Sequence, residues 1–108
     1  MKGPFDLNEI AININVHGPI GTYILSRGNN AAHYVGRSDS NLSLRLKQHA
    51  QEGRYVQFWF ENTASSLEAY YLECEWYHKY KPLDSINHPA VPPGAAWKCP
   101  IAGCPSAI

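Results

Sequence analysis

Very little in this 108-residue sequence is present in excess, and the shortages exclude several kinds of protein. Nine Lys and Arg against nine Asp and Glu leave zero formal charge. The chain as a whole therefore supplies no long-range pull on a polyanion, although six of the nine cations precede position 55 and leave a local basic patch open. Only Cys74, Cys99 and Cys104 carry thiols. An odd, small number is no disulfide framework and suits a reducing compartment. No apolar run reaches the roughly 20 residues that cross a bilayer. The opening MKGPFDLNEI lacks the apolar centre of a secretory leader. A soluble, cytoplasmic protein with no membrane partner is expected. No internal repeat is present. The length suits one small domain that buries about two-thirds of its unfolded surface.

The most informative stretch runs from Gly21 to His49. Two short apolar runs each set a tyrosine beside a glycine: Gly21-Thr22-Tyr23 and Tyr34-Val35-Gly36. Arg27-Gly28-Asn29-Asn30 lies between them, and Gly and Asn tolerate the positive φ of hairpin turns. The spacing predicts strands over 20–26 and 33–36 joined as a hairpin. A helix follows over 41–51, opened by Ser40 or Asp39 and ended near Glu52-Gly53. Arg45 and His49, four apart, share one face of it.

The remaining elements flank this unit. Met1 to Glu9 reads as an arm. Ile10, Ile12, Ile14 and Val16 fall on alternate positions, which predicts an added strand that pairs at the sheet edge. Residues 54–62 are dense in aromatic and β-branched side chains and read as a further strand. Ser65 and Glu68 form a capping-box signature for a helix over 66–80, stopped by Lys81-Pro82. Its core stripe is expected at Ala69, Leu72, Trp76 and Tyr80, with Glu73 beside it. Residues 88–108 hold five of the eight prolines and no periodicity. This tail either wraps the domain or is mobile. The expected fold is α/β: a small three-stranded sheet, open to an added N-terminal strand, with helices packed on it.

The GTY and YVG tripeptides, Arg37, the Arg45-Leu-Lys-Gln-His49 run, Glu73 and Asn87 together resemble the GIY-YIG nuclease family. The likeness covers roughly 18–87 of the chain. Thr22 and Val35 stand where the family usually has isoleucine, and both are β-branched strand formers. The loop from Gly36 to Arg45 is one residue longer than in repair-type members. Taken with the elements around it, the resemblance gives a nuclease-like domain over 1–87, with residues 1–17 as arm and added strand, followed by a Pro-rich tail over 88–108. It implies DNA as the partner and hydrolysis of a phosphodiester to a 5′-phosphate and a 3′-hydroxyl.

Such a reaction needs a group to activate water, positive charge on the phosphate, and help for the leaving oxygen. On the family pattern Glu73 holds Mg²⁺ or Mn²⁺, an ion that keeps several waters and needs only one or two protein carboxylates. Glu68 and Glu75 are the alternatives. Glu68 is already used by the cap, and Glu75 points to another face. Tyr23 is the expected water activator. Its free pKa near ~10 must then be lowered by Arg45, His49 or the metal. Tyr34 positions water or phosphate. Arg45 clamps the phosphate with its planar guanidinium, Arg37 contacts a non-bridging oxygen, His49 relays a proton, and Asn87 steadies the site by hydrogen bonds. Each also has a plainer reading, as a packed tyrosine, a solvated helix charge, a helix-end histidine or a turn asparagine.

Two other functions compete. The fold could serve as a non-catalytic nucleic-acid or protein interaction module, or as a regulatory partner using the aromatic surface of residues 55–60 and 70–80. Targeting through a homodimer or a partner protein is expected, given the neutral charge. His88, Cys99 and Cys104 invite a zinc reading, but Cys-x4-Cys lies at the edge of zinc patterns and shows no fourth ligand. His17, His33 and His78 carry no spacing signal.

Overall fold

A computed structural model describes residues 1–107. Its elements are β1 (Lys2–Asp6), α1 (Glu9–Asn15), β2 (Gly21–Ser26), β3 (Tyr34–Ser38), α2 (Leu42–Glu52), β4 (Gln57–Asn62), α3 (Ser66–Tyr80) and a closing 3₁₀ turn, Pro105–Ala107. The four strands form one sheet in the order β1-β4-β2-β3, every neighbour antiparallel. The class is α/β as expected, but the sheet has four strands rather than three.

The extra strand is not the one the alternation predicted. Residues 9–15 are helical, capped by Asn8, whose Oδ1 accepts from the Ala11 N–H at 2.8 Å. A period-two run of four contains two i, i+4 pairs, so it also fits a helix. Ile12 and Val16 form the buried pair, while Ile10 and Ile14 are exposed. The strand lies instead in the segment read as an arm. Lys2 and Phe5 pair with Phe60 and Phe58 across an irregular register, a placement at the sheet edge that tolerates Pro4.

Strand β2 is the axis, with all six residues buried. Its alternation sends side chains to two covered faces. Tyr23 and Leu25 join Ile12, Leu42, Leu46, Phe58 and Phe60 beneath α1 and α2. Ile24 joins Val35 and Trp76 beneath α3, where Thr22 Oγ1 donates to the Ala69 carbonyl at 2.8 Å. Each fully buried large apolar side chain contributes about 1.5–3 kcal/mol of transfer free energy. Helix α2 places Leu42, Leu46 and His49 inward at spacings of four and three. Its cap is Asn41, whose Oδ1 accepts from Leu44 N–H at 3.1 Å, rather than Ser40 or Asp39. Helix α3 begins at Ser65 as expected, but Glu68 reaches back to the Ala64 N–H. Its buried positions are Ala69, Tyr70, Glu73, Cys74 and Trp76, so the buried face is broader than the expected stripe and includes Glu73.

The tail packs against the domain. Cys99 and Cys104 are buried with Tyr70 and Cys74, backed by Val91, Trp97 and Ile101. Among the described residues no helix is long and apolar enough to cross a membrane.

Candidate active site

Strand β3 is an edge, and the cleft forms around it. Tyr34 and Gly36 lie in register with Leu25 and Tyr23 on the α2 face, while Val35 and Arg37 turn to the α3 face. Tyr23 sits one strand further in, and Gly36 is its cross-strand partner. A Cβ on Gly36 would stand 2.6 Å from the Tyr23 hydroxyl. The missing side chain is therefore what lets the Tyr23 ring pass over β3 and reach the cleft at its edge. Gly21 is constrained by a different neighbour: a Cβ there would meet the Glu61 carbonyl at 2.6 Å. The two motif glycines make room for an aromatic ring and for strand β4 respectively.

The cleft has a volume of about 350 Å³ and is lined by Tyr23, Tyr34, Arg37, Arg45, Glu73 and Asn87, among others. Tyr23 is 1% exposed, and its hydroxyl lies 2.8 Å from His49 Nε2. The rings of Tyr23, Tyr34 and His49 pack with centroids 5.4–6.4 Å apart. Burial, reinforced by Tyr34, pushes the Tyr23 phenol far above its usual pKa, against the pull of the nearby Arg45. His49 moves the other way: burial first, then Arg45, holds it below the usual histidine value and keeps it neutral. The Tyr23 O–H can donate to Nε2 in the tautomer that carries the imidazole proton on Nδ1. Nδ1 lies 3.4 Å from Glu52 Oε1, inside ion-pair range but without hydrogen-bond geometry. In the sequence Glu52 marks a helix end, and its one further signal is the spacing His49-x-x-Glu52, one helical turn.

Glu73 lies deeper than the partly exposed helix carboxylate expected beside the core stripe. It is 8% exposed, and Oε1 accepts from Arg37 Nη1 at 2.6 Å. Burial pushes its carboxyl up in pKa, and Arg37 opposes that. Arg37 also reaches Asp39 Oδ1 at 3.1 Å and is held by two carboxylates, whereas the exposed Arg45 makes no ion pair among the described residues: it reaches Gln48 at 3.5 Å and approaches the Tyr23 oxygen. Arg45 is thus the guanidinium not tied to a carboxylate. Among the described residues Glu73 Oε2 has no hydrogen-bond partner, and Asp39 lines the same cleft. One available carboxylate oxygen with a second carboxylate close by fits a divalent cation that keeps most of its waters.

Asn87 is on the cleft wall, but its side chain makes no hydrogen bond among the described residues. Its neighbours fix this connector. Ser85 Oγ accepts from the Val35 N–H at 3.0 Å. Asp84 accepts from Tyr55 Oη at 2.7 Å and from Arg27. The Tyr55 bond, ahead of the arginines, holds Asp84 below the usual carboxylate range.

No family model, curated protein or solved structure matches this chain. The likeness to GIY-YIG nucleases rests on the motif residues themselves.

Proposed function

We propose that this chain is a cytoplasmic, divalent-metal-dependent DNA endonuclease of the GIY-YIG type. The observation that supports it best is convergence. Tyr23 and Tyr34 from the hairpin, Arg45 from α2 and Glu73 from α3 border one open cleft. Packing alone does not ask a sequence to bring a buried tyrosine, an arginine not tied to a carboxylate, and a carboxylate to the same opening.

In this reading the scissile phosphate enters at the β3 edge, where Arg45 holds two of its oxygens. A water beside Tyr23 gives its proton to the tyrosine oxygen as it attacks phosphorus, and Tyr23 passes its own proton to His49 Nε2. The relay avoids a free phenolate, which the burial of Tyr23 disfavours. Glu52 steadies the imidazolium that forms. Arg37 fixes the Glu73 carboxylate in place. Mg²⁺ or Mn²⁺ on Glu73 would supply the positive charge on which the 3′-oxygen departs, leaving a 5′-phosphate and a 3′-hydroxyl. The neutral net charge leaves target choice to DNA structure, to a homodimer or to a partner protein.

The Arg37–Glu73 pair also favours a second reading. A carboxylate already held at 2.6 Å by a cation suits a non-catalytic nucleic-acid or protein interaction module. Nicking of supercoiled plasmid with Mg²⁺ and with Ca²⁺ separates the two. An enzyme nicks in Mg²⁺, and a binding module shifts the DNA in both ions and nicks in neither.

A further inference from the structure

Where the tail meets the end of α3, four donors that are scattered in sequence come together. We propose that His78, His88, Cys99 and Cys104 bind one structural Zn²⁺. Their donor atoms all lie within 4.8 Å of one another. Tetrahedral zinc, with Zn–S near 2.3 Å and Zn–N near 2.0–2.1 Å, sets its ligand atoms roughly 3.3–3.8 Å apart. The pair Cys99 Sγ and His78 Nε2 is already at 3.5 Å, and the rest need contract by no more than about 1–1.5 Å.

The histidine chemistry points the same way. His88 Nδ1 lies 3.0 Å from the Pro89 carbonyl oxygen. Its N–H donates there, which leaves Nε2 as the bare lone pair. Nε2 is buried and without a partner among the described residues, a costly state for a polar atom unless something binds it. A carbonyl that fixes the tautomer of a ligating histidine is the usual outer-shell arrangement. The cysteines are unpaired thiols, presented by a closed loop. Cys99 N–H donates to the Ser106 carbonyl at 3.0 Å, Cys104 N–H donates to that of Ile101 at 3.2 Å, and Gly103 takes the positive φ of 85° just before Cys104. Two thiolates and two neutral imidazoles balance Zn²⁺ to zero net charge, which suits a site with both sulfurs buried. Four protein donors leave no open position, so the ion is structural rather than catalytic. It would tie a tail without regular structure to the last turns of α3. Because His88 also borders the cleft, it would fix that wall as well. The site does not depend on the nuclease reading, since Tyr23, Arg45 and Glu73 take no part in it.

The test is metal content of the full chain, purified under reducing conditions without chelator, by native mass spectrometry and elemental analysis. One zinc per chain is expected. The apo protein given Co²⁺ should show the intense visible bands of a tetrahedral site, with thiolate-to-cobalt charge transfer. His88→Ala should lose affinity by at least the ~10–100-fold typical of outer-shell changes, whereas His88→Cys, which restores a soft donor, should keep the metal even if both melt earlier. Cys99→Ser with Cys104→Ser should bind none, and Cys74→Ser and Glu73→Gln should bind fully. The proposal is overturned if reduced wild-type protein takes up neither Zn²⁺ nor tetrahedral Co²⁺. Metal retained by the double cysteine variant, or a Cys99–Cys104 disulfide persisting under reduction, would overturn it equally.

Discussion

The Tyr23 hydroxyl and His49 Nε2 lie 2.8 Å apart in the buried interior, joined across 26 positions of sequence and two different elements. In the tautomer with Nε2 unprotonated, the bond offers the phenol a proton acceptor in surroundings that otherwise resist its ionisation. Tyr23→Phe removes only the hydroxyl, so packing is kept and the loss is about one hydrogen bond, ~1 kcal/mol. Single-turnover cleavage should fall about 10²-fold or more, while DNA binding measured in Ca²⁺ stays unchanged. Arg45→Ala should weaken both and flatten the salt dependence of binding by about one phosphate contact. Equal loss of binding and cleavage in Tyr23→Phe would make Tyr23 a DNA contact instead.

His49 should give the reaction an acid limb. It must be neutral to accept a proton, and its pKa in the folded protein is lowered by burial and by Arg45. Cleavage should rise with pH through that lowered value and level off before about 6.5. Stability moves in the same direction. Between the unfolded value near ~6.5 and the lower folded value, the unfolded chain takes up a proton that the folded chain refuses, so stability falls as pH drops through that window and is fully present above it. Glu73, raised by burial, contributes with the opposite sign in more acidic solution. The His49 contribution is therefore read as the difference between wild type and His49→Asn in urea melts across pH. That variant should lose the acid limb and cleave about 10-fold more slowly, a milder loss than the ~10²-fold of a missing general base.

Replacing Glu73 requires care, because the carboxylate is buried against Arg37. Glu73→Ala leaves a guanidinium with 11% exposed side chain and only Asp39 as partner. A loss on the order of 2–3 kcal/mol is expected, at or below the ~3–5 kcal/mol of a broken buried pair. Glu73→Gln keeps an acceptor for Arg37 and should unfold closer to wild type while cleaving no DNA. Guanidinium melts alongside cleavage assays check both. Wild-type cleavage by Glu73→Gln would remove Glu73 as the metal ligand.

The parts of this fold legible in sequence are those fixed by local chemistry. Gly and Asn between two tyrosine runs marked the hairpin, and Ser65 with Pro82 bounded α3. Residues 10–16 were misread because alternation and two i, i+4 pairs are the same pattern in so short a run, and Asn8 decides between them as a cap. Strand β1 has no readable period, since backbone bonds to β4 hold it in place. The cleft residues were legible through their frames, and the one-turn spacing of His49 and Glu52 was readable too. The bond between Arg37 and Glu73 was not, because it depends on how α3 lies against β3. The tail hid its order for the same reason: its donors come from α3, a connector and a distant loop.

Gly36 offers a test of why the second motif ends in glycine. Gly36→Ala would put a Cβ 2.6 Å from the Tyr23 ring tip. The ring must retreat from the cleft or the strand must shift, at a cost of about 1–3 kcal/mol. Cleavage should fall as far as in Tyr23→Phe. A stable, fully active Gly36→Ala protein would show that Tyr23 does not need its path over β3.

The most direct measurement uses supercoiled plasmid incubated with purified protein and Mg²⁺, followed by DNA ligase. Nicks with a 5′-phosphate and a 3′-hydroxyl are resealed. Wild type should nick in Mg²⁺ or Mn²⁺, ligase should reseal the nicks, and neither Glu73→Gln nor wild type with chelator should nick. Absence of nicking in either ion, nicks that ligase cannot close, or equal activity in Glu73→Gln would contradict the nuclease reading.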